Sequence, residues 1–208
     1  MKRSTHLSRA FLLLIAMTQA GCVDCDQPLV DPDKAEVDER LFGQWRSAEP
    51  KDFKVHYLVG RVWKNRIERA PKGLMVGYSF ETGPNHEIDL GKIPGFLLTT
   101  KIGSDCYLIE IIRKELGVPK EWKAEDVKTY TPCKYEIKDD RLTVWAMDAA
   151  ATGDLIEGGK LKGRIKKGFI RNVRLSESTE NLRVFLKTDA GKALFNDKNK
   201  TVLERVKW

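Results

Sequence analysis

The 208-residue chain has few histidines and no long apolar run. Its three histidines, His6, His56 and His86, leave little material for imidazole catalysis or for a histidine metal site. The chain contains no G-x-S-x-G nucleophile elbow, no glycine-rich phosphate loop ending in Lys-Ser or Lys-Thr, and no H-E-x-x-H zinc motif. These absences argue against the common hydrolase, nucleotide-binding and zinc-protease classes. We therefore expect no enzyme activity, no cofactor and no metal.

The first 21 residues have the layout of an export signal. Lys2, Arg3 and Arg9 form a basic segment, and residues 10–17 form an apolar run of eight residues. Such a run fits the apolar part of a signal peptide and is far too short to span a bilayer. The sequence therefore predicts that the mature protein leaves the cytosol.

The signal ends in Ala20-Gly21-Cys22, which resembles the lipobox of bacterial lipoproteins. In that family the cysteine is acylated and becomes the new N-terminus. Gln19 departs from the pattern, because an aliphatic residue is usual there. The resemblance implies a signal peptide over residues 1–21 and a cell-envelope protein held to a membrane by lipid on Cys22. It favours the outer over the inner membrane, since lipoproteins retained at the inner membrane often carry Asp where this chain has Val23.

Ordinary secretory cleavage near Ala20, with Cys22 kept as a thiol, is the alternative. In either case the signal carries three basic residues and no acidic one, so removing three charges from the formal +7 leaves +4. That excess is too mild to indicate a nucleic-acid partner.

Residues 22–40 are strongly acidic, with a single lysine between Cys22 and Glu39. This composition predicts a flexible tether, because it offers little apolar surface to bury. We expect residues 41–208 to form one domain, since their number is ample for a single core.

The body of the chain has the pattern of short strands separated by turn formers, with few helix signals. The pattern predicts a hairpin over 136–145 that turns at Asp139-Asp140, an antiparallel pair over 160–166 and 169–175 that turns at Lys167-Gly168, and one late helix over 176–186. The other predicted strands are 57–63, 73–80, 95–102, 106–112, 133–137 and 201–208. The fold class is therefore mainly β, an antiparallel β-barrel with a β-sandwich as the alternative.

Gly43-x-Trp45, at the start of the predicted body, resembles the opening motif of the lipocalins and the wider calycin group. In that family the tryptophan plugs the closed end of a β-barrel, often against a late arginine, for which Arg205 is the candidate here. The resemblance implies that the barrel binds a small apolar ligand. A core tryptophan in an unrelated β-sandwich is the alternative.

Four cysteines are present, and an exported protein makes disulfides possible. Cys106 and Cys133 each open a predicted strand, and neighbouring strands would allow a disulfide between them. Two buried free thiols are the alternative. Cys25 is left without an assigned role. The Cys22-x-x-Cys25 spacing resembles a redox or metal half-site, but lipidation would consume one of its two thiols.

Seven basic residues occur between Gly158 and Leu175 with no acidic residue among them. Alternation on a hairpin places most of them on one solvent-facing surface, which could hold an acidic envelope component or simply keep the sheet soluble. Nucleic acid is disfavoured because stacking aromatics are scarce there. The seven residues are Lys160, Lys162, Arg164, Lys166, Lys167, Arg171 and Arg174.

Three functions remain open. The first is a non-enzymatic, lipid-anchored envelope lipoprotein whose lipocalin-like barrel binds a small apolar ligand or an envelope partner. The second is an interaction module without a cavity that uses the basic hairpin. The third is an envelope hydrolase, which requires His86 or converging carboxylates in a deep pocket. The sequence assigns no oligomeric state.

Overall fold

The computed structural model describes residues 23–48, 54–62, 66–82, 88–90, 94–166 and 172–207. In this part of the chain twelve strands form one connected sheet. They are β1 (Val23–Cys25), β2 (Gly43–Ser47), β3 (Lys54–Arg61), β4 (Met75–Thr82), β5 (Ile88–Leu90), β6 (Gly95–Ile102), β7 (Asp105–Arg113), β8 (Val127–Lys138), β9 (Arg141–Ala146), β10 (Gly163–Lys166), β11 (Asn172–Leu175) and β12 (Lys200–Arg205).

The described helices are short. Three are α-helical: α1 (Ala149–Glu157), α2 (Thr179–Leu186) and α3 (Asp189–Lys192). Four single 3₁₀ turns complete the regular structure, at Pro32–Lys34, Glu39–Leu41, Ala124–Asp126 and Asp197–Asn199.

Eight strands close into an antiparallel barrel, in the order β8-β7-β6-β4-β3-β2-β12-β9 and back to β8. Every neighbouring pair in this ring is antiparallel. Closure leaves the ring without free edges, which are the parts of a sheet most prone to aggregation. The predicted mainly β antiparallel barrel is confirmed, and the β-sandwich alternative is wrong.

Three further strands leave the barrel sideways and form what we call the side extension, β1, β11 and β10. They can do so because the long strand β8 has two neighbours along one edge. Its C-terminal half, from Cys133 onward, pairs with β9, whereas Tyr130 in its N-terminal half lies opposite Cys25 of β1. β1 runs parallel to β11, and β11 pairs antiparallel with β10 at the outer edge. The predicted antiparallel pair is thus present, while its turn lies outside the described residues.

Alternation along the strands separates two apolar cores. On β7, Leu108 belongs to the core inside the barrel, whereas Ile109 and Ile111 belong to a core between the outer face and the helices. The outer core also holds Val173 of the side extension and Leu182 of α2. The buried residues of the inner core are Leu41, Trp45, Tyr57, Val59, Met75, Leu97, Leu108, Cys133, Tyr135, Leu142, Val144 and Leu203.

The hairpin between β8 and β9 matches its prediction. Lys138 pairs with Arg141, and the two residues between them, Asp139 and Asp140, have φ angles of +50° and +58°. Two successive positive φ values define the type I′ turn, which suits the twist of a hairpin. Predicted strand 95–102 coincides with β6.

The tether prediction for residues 22–40 is wrong over the described residues 23–40. Val23 and Cys25 belong to β1 and are 3% and 1% exposed, and Leu29 is 1% exposed. Apolar residues spaced between the acids supply enough buried surface to order the segment. Overall composition does not reveal this order, because it averages over the spacing of the apolar residues.

The acids in this segment are also partnered rather than merely solvated. The Thr131 hydroxyl donates a 2.9 Å hydrogen bond to Asp24, and Arg174 forms an ion pair with Asp26. The domain therefore begins at Val23 at the latest, not at Leu41.

The predicted late helix is confirmed, and other short helices accompany it. The late helix exists as α2, where the Ser178 hydroxyl accepts a hydrogen bond from the backbone N–H of Asn181. However, α1 precedes it, and its N-cap is Asp148, whose carboxylate accepts from the N–H groups of Ala150 and Ala151 at 2.9 and 3.0 Å. An N-cap acid followed by three alanines is a helix signal that the strand pattern around it obscured.

Candidate functional site

One end of the barrel, which we call the plug end, is closed by a tryptophan and an arginine. Trp45 on β2 is completely buried, and its indole N–H donates a 2.7 Å hydrogen bond to the carbonyl of Leu41. The guanidinium carbon of Arg205 lies 4.1 Å from the centre of the Trp45 ring, which is cation–π geometry. Arg205 also donates a 2.7 Å hydrogen bond to the carbonyl of Phe42. The structure brings these two predicted plug residues together.

Gly43, the third predicted plug residue, allows this packing. Its φ of +114° is one that other residues adopt only with strain. A Cβ at this position would also lie 3.2 Å from Nη1 of Arg205. The Gly-x-Trp spacing therefore places Gly43, which adopts this φ without strain, beside the Arg205 guanidinium. It also places the Trp45 ring two positions later on the same face of the strand.

Residues 36–42 cross the plug end and carry a partnered carboxylate. Asp38 accepts hydrogen bonds from Nε and Nη2 of Arg40 at 2.9 and 2.7 Å and from the hydroxyl of Tyr135 at 2.6 Å. The Arg40 guanidinium, helped by Tyr135, lowers the pKa of Asp38 to about 2. Burial raises the pKa of the Tyr135 hydroxyl, which keeps it a hydrogen-bond donor to Asp38.

Within the described part of the chain, side chains occupy the inside of the barrel. Trp45, Met75 and Leu97 are each 1% exposed or less, and an eight-stranded barrel is just wide enough for side chains to fill. A cavity of about 100 Å³ lies near Phe96 and another of about 170 Å³ lies near Thr99. Both are well below the roughly 300 Å³ of an ordinary small-molecule site.

The opposite end, which we call the acid end, holds a buried carboxyl group without a hydrogen-bond partner among the described residues. Glu110 lies two residues beyond Leu108 on β7, so its side chain is on the inner face, and it is 5% exposed. Burial raises the pKa of Glu110 to about 8, and the nearby Asp24 carboxylate adds to the rise. Glu110 therefore carries a proton at neutral pH more often than not.

Asp24 shares this environment. It accepts the 2.9 Å hydrogen bond from Thr131, which lies directly opposite Glu110 in the sheet. Burial raises the pKa of Asp24, while the Thr131 hydroxyl and the Arg174 charge act in the opposite direction. The two carboxyl groups thus lie close together in a buried region. Because their charges have the same sign, ionisation of both at once is disfavoured.

The acid end continues into the side extension as one row of polar residues. Register places Arg174 opposite both Arg164 on β10 and Asp24 on β1. Asp24 is joined to Thr131, and Thr131 pairs with Glu110. The row therefore runs across five strands, from a basic outer edge to a buried acid inside the barrel.

The residues of the predicted basic cluster differ in whether they have partners within the fold. Arg174 is used within the fold, because it pairs with Asp26 and donates a 3.0 Å hydrogen bond to the carbonyl of Lys128. Lys160, Lys162, Arg164 and Lys166 are exposed. Their side chains have no ion-pair partner among the described residues. Two other predicted members, Lys167 and Arg171, lie outside the described residues.

The predicted disulfide between Cys106 and Cys133 does not form, and both residues are thiols. Their strands are neighbours, but the register sets Cys106 opposite Tyr135 and Cys133 opposite Leu108. Diagonal positions in an antiparallel pair are about 7–8 Å apart, beyond the usual Cα separation of a disulfide.

Cys25 is a buried thiol, and burial raises its pKa. A thiol that is hard to deprotonate is a poor nucleophile and a poor metal ligand. Cys22 and the whole predicted signal peptide lie outside the described residues, as does His86.

The acid end is the part of the site that the sequence analysis missed. The available signal was that Glu110 interrupts the apolar run 108–112. Leu108 and Ile112 share its face of the strand, so that face is expected to be buried as well as the other. No group of three or more His, Cys, Asp or Glu among the described residues is placed to hold a metal ion. The row could bind charged groups at its outer edge and exchange a proton at Glu110.

Comparison with protein-family models, curated proteins and solved structures found no match to this chain. None of the described helices is long and apolar enough to cross a membrane.

Proposed function

We propose that this protein is a non-enzymatic lipoprotein of the bacterial cell envelope, anchored by lipid on Cys22, whose calycin-like barrel is a rigid binding module without a ligand cavity. Its binding surface is the basic edge of the side extension, and its partner is an acidic envelope component. The filled interior of the barrel is the observation that carries this proposal.

The filled interior argues against the small-ligand alternative. A lipocalin-like carrier needs a hollow large enough to surround its ligand. Here the inner core extends from Trp45 at the plug end through Met75 and Leu97, and the cavities of about 100 and 170 Å³ are too small. The calycin resemblance then rests on the plug residues and on the closed eight-stranded ring, not on a binding cavity.

The geometry of the acid end also gives little support to a hydrolase. Glu110 and Asp24 are converging carboxyl groups, as a carboxylate mechanism requires. However, the cavity that Glu110 lines is about 100 Å³, well below the roughly 300 Å³ of an ordinary small-molecule site.

Envelope anchoring is supported by the Ala20-Gly21-Cys22 box and by the exposed lysines and arginine on the side extension. It is tested by fractionating a bacterial host that expresses the full chain. We expect wild type in the membrane fraction with a mature N-terminal peptide that begins at acylated Cys22. The Cys22→Ala variant should leave that fraction or keep its signal.

The matched control is Cys25→Ala, which removes a cysteine three residues later in the sequence. It should remain in the membrane fraction like wild type. Equal membrane association of wild type and Cys22→Ala, with an unmodified Cys22 in the wild-type peptide, would reject the anchor.

A further inference from the structure

The fold begins immediately after the predicted anchor. Val23 is already in β1, where it is 3% exposed and pairs with Val173 of β11. One extended residue spans about 3.3 Å, so an acyl group on Cys22 is attached almost directly to the sheet. The membrane surface must therefore lie close to the start of β1.

The register of the side extension decides which residues are nearest to that surface. Because β1 and β11 are parallel, the start of β1 lies at the same end as the start of β11. Asn172, the first residue of β11, pairs with Lys166, the last residue of β10. Neighbouring strands are about 4.8 Å apart, so β10 is about 10 Å from β1, which is close to the Debye length in physiological salt.

The charges on this edge are available to an external partner. Arg164 and Lys166 alternate along the edge strand β10, and Lys162 directly precedes it; all three residues are exposed. None of the three side chains has an ion-pair partner within the described part of the chain, in contrast to Arg174, which pairs with Asp26. Lysines on an edge strand commonly prevent aggregation, but that role does not require them to lie beside the anchor.

We propose that Lys162, Arg164 and Lys166 lie against anionic phospholipid headgroups of the membrane that holds Cys22. This inference rests on the proposed function and names its acidic partner. Because no linker separates Cys22 from β1, the side extension stays close to the bilayer. Each basic residue near an anionic surface favours the membrane-bound state by about fivefold.

The test uses the full acylated protein, reconstituted into vesicles of 30% phosphatidylglycerol in phosphatidylcholine or of phosphatidylcholine alone. Amide hydrogen exchange is measured over residues 162–166 and 172–175. We expect about fivefold or greater slowing on the anionic vesicles, reversed by raising the salt concentration. The triple variant Lys162→Gln, Arg164→Gln, Lys166→Gln should lose that difference.

The matched control removes three exposed lysines elsewhere, Lys101, Lys138 and Lys187, and should keep the wild-type difference. Exchange that is equal on the two vesicle types, or equally slowed in the basic-edge variant, would overturn the inference while leaving the anchor in place. An unacylated Cys22 would instead reject the proposed function, because the protein could not be reconstituted through its lipid.

Discussion

The two ends of the barrel treat a carboxyl group in opposite ways. At the plug end, Asp38 is held by Arg40 and Tyr135, and its pKa is lowered to about 2. At the acid end, Glu110 is buried without a hydrogen-bond partner among the described residues, and its pKa is raised to about 8. The first carboxylate stabilises the fold when charged, whereas the second destabilises it when charged.

This difference indicates where the molecule is built for stability. The plug end combines the buried Trp45 ring, its cation–π contact with Arg205, and the hydrogen-bonded carboxylate of Asp38. The acid end instead keeps a costly group inside and continues into charged residues that lead to the exposed edge. A fold that needed only stability would place an apolar residue at Glu110.

The largest expected effect is at the plug. Trp45→Ala removes a fully buried ring together with its contact to Arg205, and we expect it to lower the free energy of unfolding by about 3–5 kcal/mol. Chemical denaturation followed by circular dichroism measures this. Trp145→Ala is the matched control, because Trp145 is half-buried and bonds Asp197; its loss should be about 1 kcal/mol. Equal losses would contradict the assignment of Trp45 as the plug.

The next effect is a pH dependence set by the acid end. The folded state of Glu110 binds its proton more tightly than the unfolded state, so stability falls as pH rises from about 4.5 to about 8. The contribution is at most about 1.4 kcal/mol per pH unit. Glu110→Gln should flatten this slope and be more stable than wild type at pH 8 to 9. Denaturant midpoints measured across this pH range check the prediction. If wild type and Glu110→Gln showed the same dependence of stability on pH, the raised pKa of Glu110 would be contradicted.

A smaller effect is expected from the glycine beside the plug. Gly43→Ala adds a methyl group at a φ of +114° and 3.2 Å from Arg205, so we expect a loss of about 2 kcal/mol. Gly60→Ala is the control, since a Cβ there meets nothing within 4 Å. It should be close to neutral in thermal unfolding. A neutral Gly43→Ala would show that the guanidinium does not depend on this backbone geometry.

The smallest effect is expected at Asp38. Because its pKa is lowered in the folded state, its contribution is present above about pH 4 and is lost as pH falls toward about 2. Asp38→Asn should lower stability by about 1 kcal/mol at pH 7 and make acid unfolding shallower. Tyr135→Phe, which removes one donor to Asp38, should show part of the same loss. If Asp38→Asn unfolded in acid with the same pH dependence as wild type, the stabilising role of the charged Asp38 carboxylate would be contradicted.

The barrel was predictable because its strands carry local signals. The β-branched and aromatic residues of 95–102 and the paired acids at Asp139-Asp140 are local signals, and both match the structure. The plug trio was also within reach, because Gly43 and Trp45 are close in sequence and Arg205 was the candidate partner.

The acid end was not predictable in the same way. Residues 23–25 form a strand only because β8 and β11 provide partners more than 100 positions away, as the Asp24–Thr131 hydrogen bond shows. Likewise, the register of β7 against β8 separates Cys106 from Cys133, and no local pattern encodes that offset. Long-range pairing overrode composition in both cases.

The most direct test of the account is the native mass of the protein extracted gently from its own membrane. We expect a mature chain that begins at acylated Cys22 and carries no additional bound molecule, because the barrel is filled. An apolar molecule that co-purifies in stoichiometric amount and is released on activation would contradict the claim that this barrel is a binding module without a ligand cavity.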